Sequence, residues 1–272
     1  MKKNNAEINR RQFLISSAVA FGSMAAIGVG VKYLQKSAEG DELLLRPPGA
    51  VAESDFIYGC IKCGLCVQIC PIDAIKLAGI NETFSYGTPY IDARNQPCDF
   101  SCDSLQCAET CPTAVLDFKQ FKEVGEKAIE KYYKEHDTNE EGFNPFKTQI
   151  IAMKEAVVMG IAVLKKESCL AVSGKGFKGT PRGADFEGVN RTPGGGTRGA
   201  VPLSDKQYDR EICDLCVTEC PIGETAIVLE KSEDNGNISY KPKVLDGCTG
   251  CGVCVMVCPT EPTSIIINPK KS

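Results

Sequence analysis

The sequence predicts an α+β fold: two small cysteine-rich modules joined by a helical spacer, with an insertion loop in the second module. Three observations predict it. Sixteen cysteines among 272 residues fall mostly into four runs, each ending in Cys-Pro. A short apolar, β-prone segment follows every one of these prolines. The runs come in two pairs, and a charged, helix-prone stretch separates the pairs. Composition is compatible, since 43% hydrophobic and 24% charged residues exclude disorder and collagen. A net charge of −4 and a pI near 5.3 argue against a nucleic-acid binder. A single histidine, His136, rules out most zinc-hydrolase and Ser-His-Asp schemes.

The first element in order is an address at 1–36. Met1-Lys2-Lys3 leads to Asn9-Arg10-Arg11-Gln12-Phe13-Leu14, and a mildly apolar stretch rich in Ala, Gly and Ser covers 13–31. Paired arginines ahead of a weakly hydrophobic segment resemble a twin-arginine export signal. The stretch is also nearly long enough to span a bilayer, which keeps a signal-anchor helix as the alternative. Lys36 makes cleavage after Ala38 poor, so a retained anchor stays open. Such a signal predicts a protein that is exported, already folded, to the periplasm.

The two modules are expected at 53–118 and 168–272. Cys60, Cys63, Cys66 and Cys70-Pro71 fit C-x2-C-x2-C-x3-C-P, and Cys248, Cys251, Cys254 and Cys258-Pro259 fit it again. This is the bacterial run for [4Fe–4S] ligation. Three thiolates within seven residues can wrap one face of a cubane, with Gly64, Gly250 and Gly252 easing the tight backbone. The fourth cysteine turns to a second cluster. Proline then stops the local helical turn, because the residue before it is pushed out of the α region. Strands are expected at 74–77 and 264–267, and likewise at 114–116 after Cys111-Pro112 and 226–229 after Cys220-Pro221. Four occurrences point to one motif used four times.

The second run is Cys98-x3-Cys102-x4-Cys107-x3-Cys111-Pro112, with widened loops. The third shows only Cys213-x2-Cys216-x3-Cys220-Pro221, with Arg210 where the first cysteine belongs. Cys169, 44 positions upstream of Cys213, completes the count. Four cubanes require sixteen thiolates, and the chain holds sixteen only if Cys169 is included. It reads as the displaced first ligand, with 173–210 as an insertion. The alternative is a buried structural thiol that leaves a three-thiolate site. An even cysteine count in an exported chain would ordinarily suggest disulfides. Zinc favours paired C-x2-C knuckles. Neither accounts for repeated four-cysteine runs closed by proline, so four [4Fe–4S] clusters are predicted.

The arrangement resembles the NapG/MauM family, ferredoxin-type proteins associated with periplasmic nitrate reductase and methylamine-utilisation systems. The likeness covers nearly the whole chain. It rests on the twin-arginine start, the widened second run from Pro97-Cys98 to Cys111-Pro112, and Met159-Gly160-Ile161-Ala162-Val163-Leu164 ahead of Cys169-Leu170. It also rests on Cys213-Asp214-Leu215-Cys216 to Cys220-Pro221 and on Cys258-Pro259-Thr260-Glu261-Pro262. One departure is the insertion: in NapG-like chains the Cys-Leu pair typically lies only a few residues from the third C-x2-C, and here about forty intervene.

The resemblance implies an iron–sulfur protein associated peripherally with the membrane. It would take electrons from a quinol-oxidising partner resembling NapH and pass them through a c-type cytochrome toward a molybdenum nitrate reductase. The alternative is a redox maturation factor for another periplasmic enzyme, as the MauM resemblance allows. No flavin, nucleotide or molybdenum motif is present, nor any nucleophile–base set. An electron-transfer subunit is therefore expected, without a catalytic site of its own.

Each half has the size of a bacterial-ferredoxin-like 2[4Fe–4S] module. Sequential pairing would join Cys60, Cys63, Cys66 and Cys111 in a first site and Cys70, Cys98, Cys102 and Cys107 in a second. Cys169, Cys213, Cys216 and Cys258 would form a third, and Cys220, Cys248, Cys251 and Cys254 a fourth. Crossed or nested pairing is the alternative. The spacer, 119–167, reads as a solvated charged helix over 119–141, a second helix from Pro145 to about Val158, and a strand over 159–164. The Gly-rich segment 173–203 carries Lys175, Lys178, Arg182, Arg191 and Arg198. Thr180 stands where a phosphate loop needs Lys. It reads as a mobile surface loop, with an electrostatic dock for an acidic redox partner as the sharper alternative. His136, among charges, reads as solvated.

Overall fold

Residues 43–80, 85–138, 142–191, 200–234 and 237–270 are described by a computed structural model, and all sixteen cysteines lie among them. The address at 1–36 lies outside the described residues, as does the stretch 192–199 of the insertion.

Arg46 anchors the chain ahead of α1 (Glu53–Gly59). Its guanidinium pairs with Glu53 and donates to Thr88 Oγ1 (2.9 Å), Pro89 O (2.9 Å) and Ser85 Oγ (3.0 Å). It also lies 4.8 Å from the centre of the Phe56 ring. Burying this charge is tolerated because its donors are matched. After Cys60, Gly64 takes φ +76° and opens α2 (Leu65–Gln68), a single turn that buries Cys66. Beyond Pro71, β1 (Ile75–Leu77) pairs antiparallel with β2 (Pro89–Ile91), placing Ile75 opposite Ile91. The one-turn helix recurs before Cys111 as α3 (Gln106–Glu109). The strand expected at 114–116 does not form, and only Leu116 bridges to Ala50. Ala114 sits at φ +55°, which breaks the extended backbone a strand requires.

The spacer consists of α4 (Lys119–Glu135) and α5 (Pro145–Glu155). Pro145 opens α5 at a position where its missing N–H is harmless, and Asn144 Oδ1 caps it by accepting from Lys147 N at 3.0 Å. The two helices approach closely at Gly125. A Cβ there would stand 2.8 Å from Gln149 Cγ and 3.0 Å from Met153 Cγ. Thus α4 buries Phe121 and Gly125 along one side instead of being solvated all round. His136 is half-buried and stacks on Tyr132, ring centres 4.1 Å apart, so it is a packed residue and not a solvated one.

After the spacer comes β3 (Gly160–Leu164). The insertion is not a mobile loop over its described residues. β4 (Phe177–Gly179), β5 (Val189–Arg191), β6 (Ala200–Pro202) and β7 (Tyr208–Arg210) form two antiparallel pairs, β4 with β7 and β5 with β6. Leu203 and Asn190 are buried. The insertion also reaches the first half: Gln96 Oε1 accepts from Val189 N (2.9 Å), Gln96 Nε2 donates to Val189 O (3.0 Å), and Arg182 donates to Arg94 O (2.6 Å). Glycine here serves close approach. A Cβ at Gly176 would overlap Arg210 O at 2.0 Å.

The third one-turn helix is α6 (Leu215–Thr218). β8 (Ile227–Asp234) and β9 (Asn237–Val244) then make a hairpin twice the length of the apolar segment at 226–229. Its outer part is polar, with Glu230 opposite Lys241 and accepting from Lys243 Nζ at 2.8 Å, so it carries no hydrophobic signature. α7 (Val253–Met256) follows Gly252, and the chain closes with β10 (Ile265–Pro269) antiparallel to β3, Leu164 opposite Ile265. One continuous set of buried apolar side chains, including Phe56, Leu105, Met153, Leu215 and Met256, spans both halves. Among the described residues no helix is long and apolar enough to cross a membrane.

Candidate metal centres

The one-turn helices gather the cysteines. Cys60, Cys63 and Cys66 surround the turn at Gly64, and Cys111 reaches the same cavity from beyond α3. In the second half, Cys248, Cys251 and Cys254 line a cavity with Cys220, and Cys213 and Cys216 line another with Cys169 and Cys258. Each of the three cavities is small, with a volume of about 20 Å³. The remaining four thiols form a mutual neighbourhood: Cys102 feels Cys70, Cys107 feels Cys102 and Cys70, and Cys98 feels Cys102 and Cys107. The structure therefore brings the cysteines together in four sets of four. Cys169, remote in sequence, is one of them. It is buried beside Cys213 because Lys175 O accepts from Cys213 N at 3.1 Å, holding the two ends of the insertion together.

Burial is the largest influence on these thiols, and it disfavours their charged form. It pushes Cys66 up to about 11, Cys213 up to about 11 and Cys251 up to about 12. Cys98, Cys107, Cys216 and Cys254 are raised for the same reason, with neighbouring cysteines adding repulsion. Four thiolates cannot share such a cavity alone. Held as thiolates, these cysteines would need a cationic core between them to offset their mutual repulsion. Soft thiolates in fours suit zinc or an iron–sulfur cluster. The C-x2-C-x2-C-x3-C-P spacing at Cys60 to Cys70 and Cys248 to Cys258 is that of [4Fe–4S] ligands.

Cys111 and Cys258 behave differently. Burial opposes their charge too, but hydrogen bonds outweigh it and hold both thiols below the usual range. For Cys111 the donors are the Leu116, Thr113 and Val115 backbones and the Thr113 hydroxyl; for Cys258 they come from Thr260, Ser264 and Thr263. Ser264 N–H donates to Cys258 Sγ at 3.4 Å, and Ala74 N–H to Cys70 Sγ at 3.3 Å. Such bonds to sulfur tune cluster potential. The turn after each Cys-Pro thus has an electrostatic task besides stopping a helix.

Two basic residues escaped the sequence reading. Lys154 is buried, and its ammonium donates to Phe100 O (2.6 Å) and Cys102 O (2.7 Å). Burial raises the Cys102 thiol, and the Lys154 charge pulls it back down. A lone lysine amid Ile150, Ile151, Met153, Ala156 and Val157 is the signal that could have found it. Arg94 donates to Val255 O (2.6 Å), Cys258 O (2.9 Å) and Thr260 O (3.1 Å), and pairs with Glu261 at 2.7 Å. Nothing local in the sequence marks that role.

Comparison with known proteins accords with this geometry. A family model described as a 4Fe–4S dicluster domain matches residues 59–115 and 211–261, leaving Cys169 outside both matches. The chain is 31% identical over 265 residues to "Ferredoxin-type protein NapG" of Escherichia coli K12, covering 96% of this chain and 85% of that protein. It is 29% identical over 266 residues to "Methylamine utilization ferredoxin-type protein MauM" of Methylorubrum extorquens, covering 97% and 90%. It is 28% identical over 277 residues to NapG of Haemophilus influenzae, covering 99% and 75%. No solved structure matches the chain.

Proposed function

Because the chain belongs to the family of ferredoxin-type proteins that includes NapG and MauM, an α+β, iron–sulfur group of electron carriers, we propose that its sixteen cysteines hold four [4Fe–4S] clusters. On this reading it relays electrons from a membrane quinol-oxidising partner of NapH type, through a c-type cytochrome, toward a periplasmic reductase, nitrate reductase foremost. The observation that carries the reading is the convergence of the cysteines into four sets, each drawn from two runs. When bound, each cubane supplies a site that accepts or releases one electron with little rearrangement.

The chain's own residues do the rest. Cysteine thiolates grip the metal, and the apolar walls, Leu164 and Leu215 at the third set for example, exclude water. N–H groups of Ala74 and Ser264 stabilise negative charge on sulfur. Arg10 and Arg11 begin a twin-arginine signal, so that loading precedes export and the mature protein works in the periplasm against the membrane. The comparable likeness to methylamine-utilisation proteins supports a second reading, electron delivery during maturation of a periplasmic enzyme.

A deletion strain separates the two. Loss of quinol-driven reduction while the terminal enzyme is fully assembled supports transfer. A terminal enzyme left inactive and short of its own cofactor supports maturation, and a strain unchanged in both respects contradicts either role.

A further inference from the structure

The two modules meet cysteine to cysteine. Cys98 N–H donates to Cys251 O at 3.2 Å, a backbone bond between a member of the second set and a member of the fourth. Residue 252 makes the approach possible. Gly252 lies at φ +92°, and a Cβ there would stand 2.5 Å from Ala93 Cβ and 3.3 Å from Pro97 Cβ. Any side chain would wedge the segment ahead of Cys98 away from Cys251. A cavity of about 330 Å³ lies close by, with Cys220 of the fourth set the one cysteine in its lining. Phe100 and Lys154 line it on the side of Cys102, and Cys220 and Pro221 line it opposite.

Contacts inside each module run elsewhere. α2 packs on α3, bringing Cys66 near Cys107, and α6 packs on α7, bringing Cys216 near Cys254. First and second sets are therefore neighbours, and so are third and fourth. One rival link joins the halves at the third set, where Arg94 donates to Cys258 O at 2.9 Å. It runs through a whole arginine side chain, a far longer path than one backbone hydrogen bond. Electronic coupling falls steeply with the gap to be crossed.

We propose that electrons pass between the modules at the Cys98–Cys251 contact, so that the four sets form one unbranched relay in the order first, second, fourth, third. The proposal rests on reading the sets as [4Fe–4S] ligands. Each crossing moves a single electron: the site of Cys98 is oxidised by one electron and the site of Cys251 reduced by one, with no bond made or broken and no proton transferred. The relay's ends are then the first set, whose Cys63 is exposed, and the third, whose Cys169 and Cys213 are buried on either side of the insertion. External donors and acceptors engage those ends, and the second and fourth sets serve only internal passage.

The test uses the full, iron-loaded protein, reduced anaerobically with dithionite and examined by pulsed EPR. Dipolar coupling between the modules is expected in the unaltered protein and should persist in Cys63→Ala and in Cys213→Ala, which alter the outer sets. Its disappearance in Cys213→Ala would place the crossing at the third set and overturn the order. A second readout is inter-module electron equilibration after flash reduction. Gly252→Ala should slow it severalfold, Ala93→Gly in that background should restore much of the rate, and Arg94→Met should leave it nearly unchanged. A rate insensitive to Gly252→Ala but slowed by Arg94→Met would likewise overturn the proposal. Iron content distinguishes the two levels of failure. Well under sixteen iron atoms per unaltered chain removes the cluster reading itself, whereas full loading with a different coupling pattern removes only the order.

Discussion

Cys169 carries more weight than any other single residue, because the third set is complete only with it. It is buried beside Cys213 and lines one cavity with Cys216 and Cys258. Cys169→Ser should therefore lower bound iron by about one quarter or leave a three-iron site, measured as iron and labile sulfide per chain; undiminished iron would make Cys169 a structural thiol. Lys154 matters through charge. Replacing it with Met removes a positive group hydrogen-bonded to the Cys102 carbonyl, which disfavours the added electron. The second site's potential should fall by about 40 mV, taking a charge interaction of ~1 kcal/mol, with EPR-monitored redox titration as the check. An unchanged potential would mean the charge is fully screened. The four cysteine runs were legible in the sequence because their spacing is local, whereas Cys169 was reached only by counting. Lys154 was not legible, since the carbonyls it binds lie more than fifty residues away.

At the scale of elements, the Cys-Pro punctuation forecast β1 and β10 well, because each lies within a few residues of a proline that ends a helical turn. The same rule failed at 114–116, where the positive φ of Ala114 diverts the chain. It also understated the β8–β9 hairpin, whose polar outer rungs leave no apolar periodicity to read. Helix-forming composition was visible where α4 and α5 lie, but their tight seam was not. Gly125 resembles a helix-weakening residue until Gln149 and Met153 are seen packed over it. Gly125→Val should overpack that seam and lower the unfolding free energy by about 1–3 kcal/mol, read by denaturant titration of the loaded protein. Equal stability would show that α4 and α5 can separate without loss.

For the molecule as a whole, the unexpected feature is that the two halves share one core and are strapped together. Glycine content made the insertion look like a mobile loop. Instead it lays Val189 along Gln96 and Arg182 on Arg94, and its Asn190 and Lys206 hold Glu219 at 2.8 and 2.6 Å beside Cys220. Long-range pairing of this kind leaves no trace in local sequence. Arg94→Ala strips hydrogen bonds from the Val255, Cys258 and Thr260 carbonyls at once. It should cost about 2–4 kcal/mol of stability, with a fall in thermal midpoint as the measure; a midpoint equal to the unaltered protein's would mean the halves are held by the core alone. Everything else depends on what the cysteines hold. The most direct measurement is iron and acid-labile sulfide in anaerobically purified protein. About sixteen of each per chain, with the EPR of reduced cubanes, is the expected result. A colourless, metal-free chain whose cysteines are paired as disulfides would contradict it.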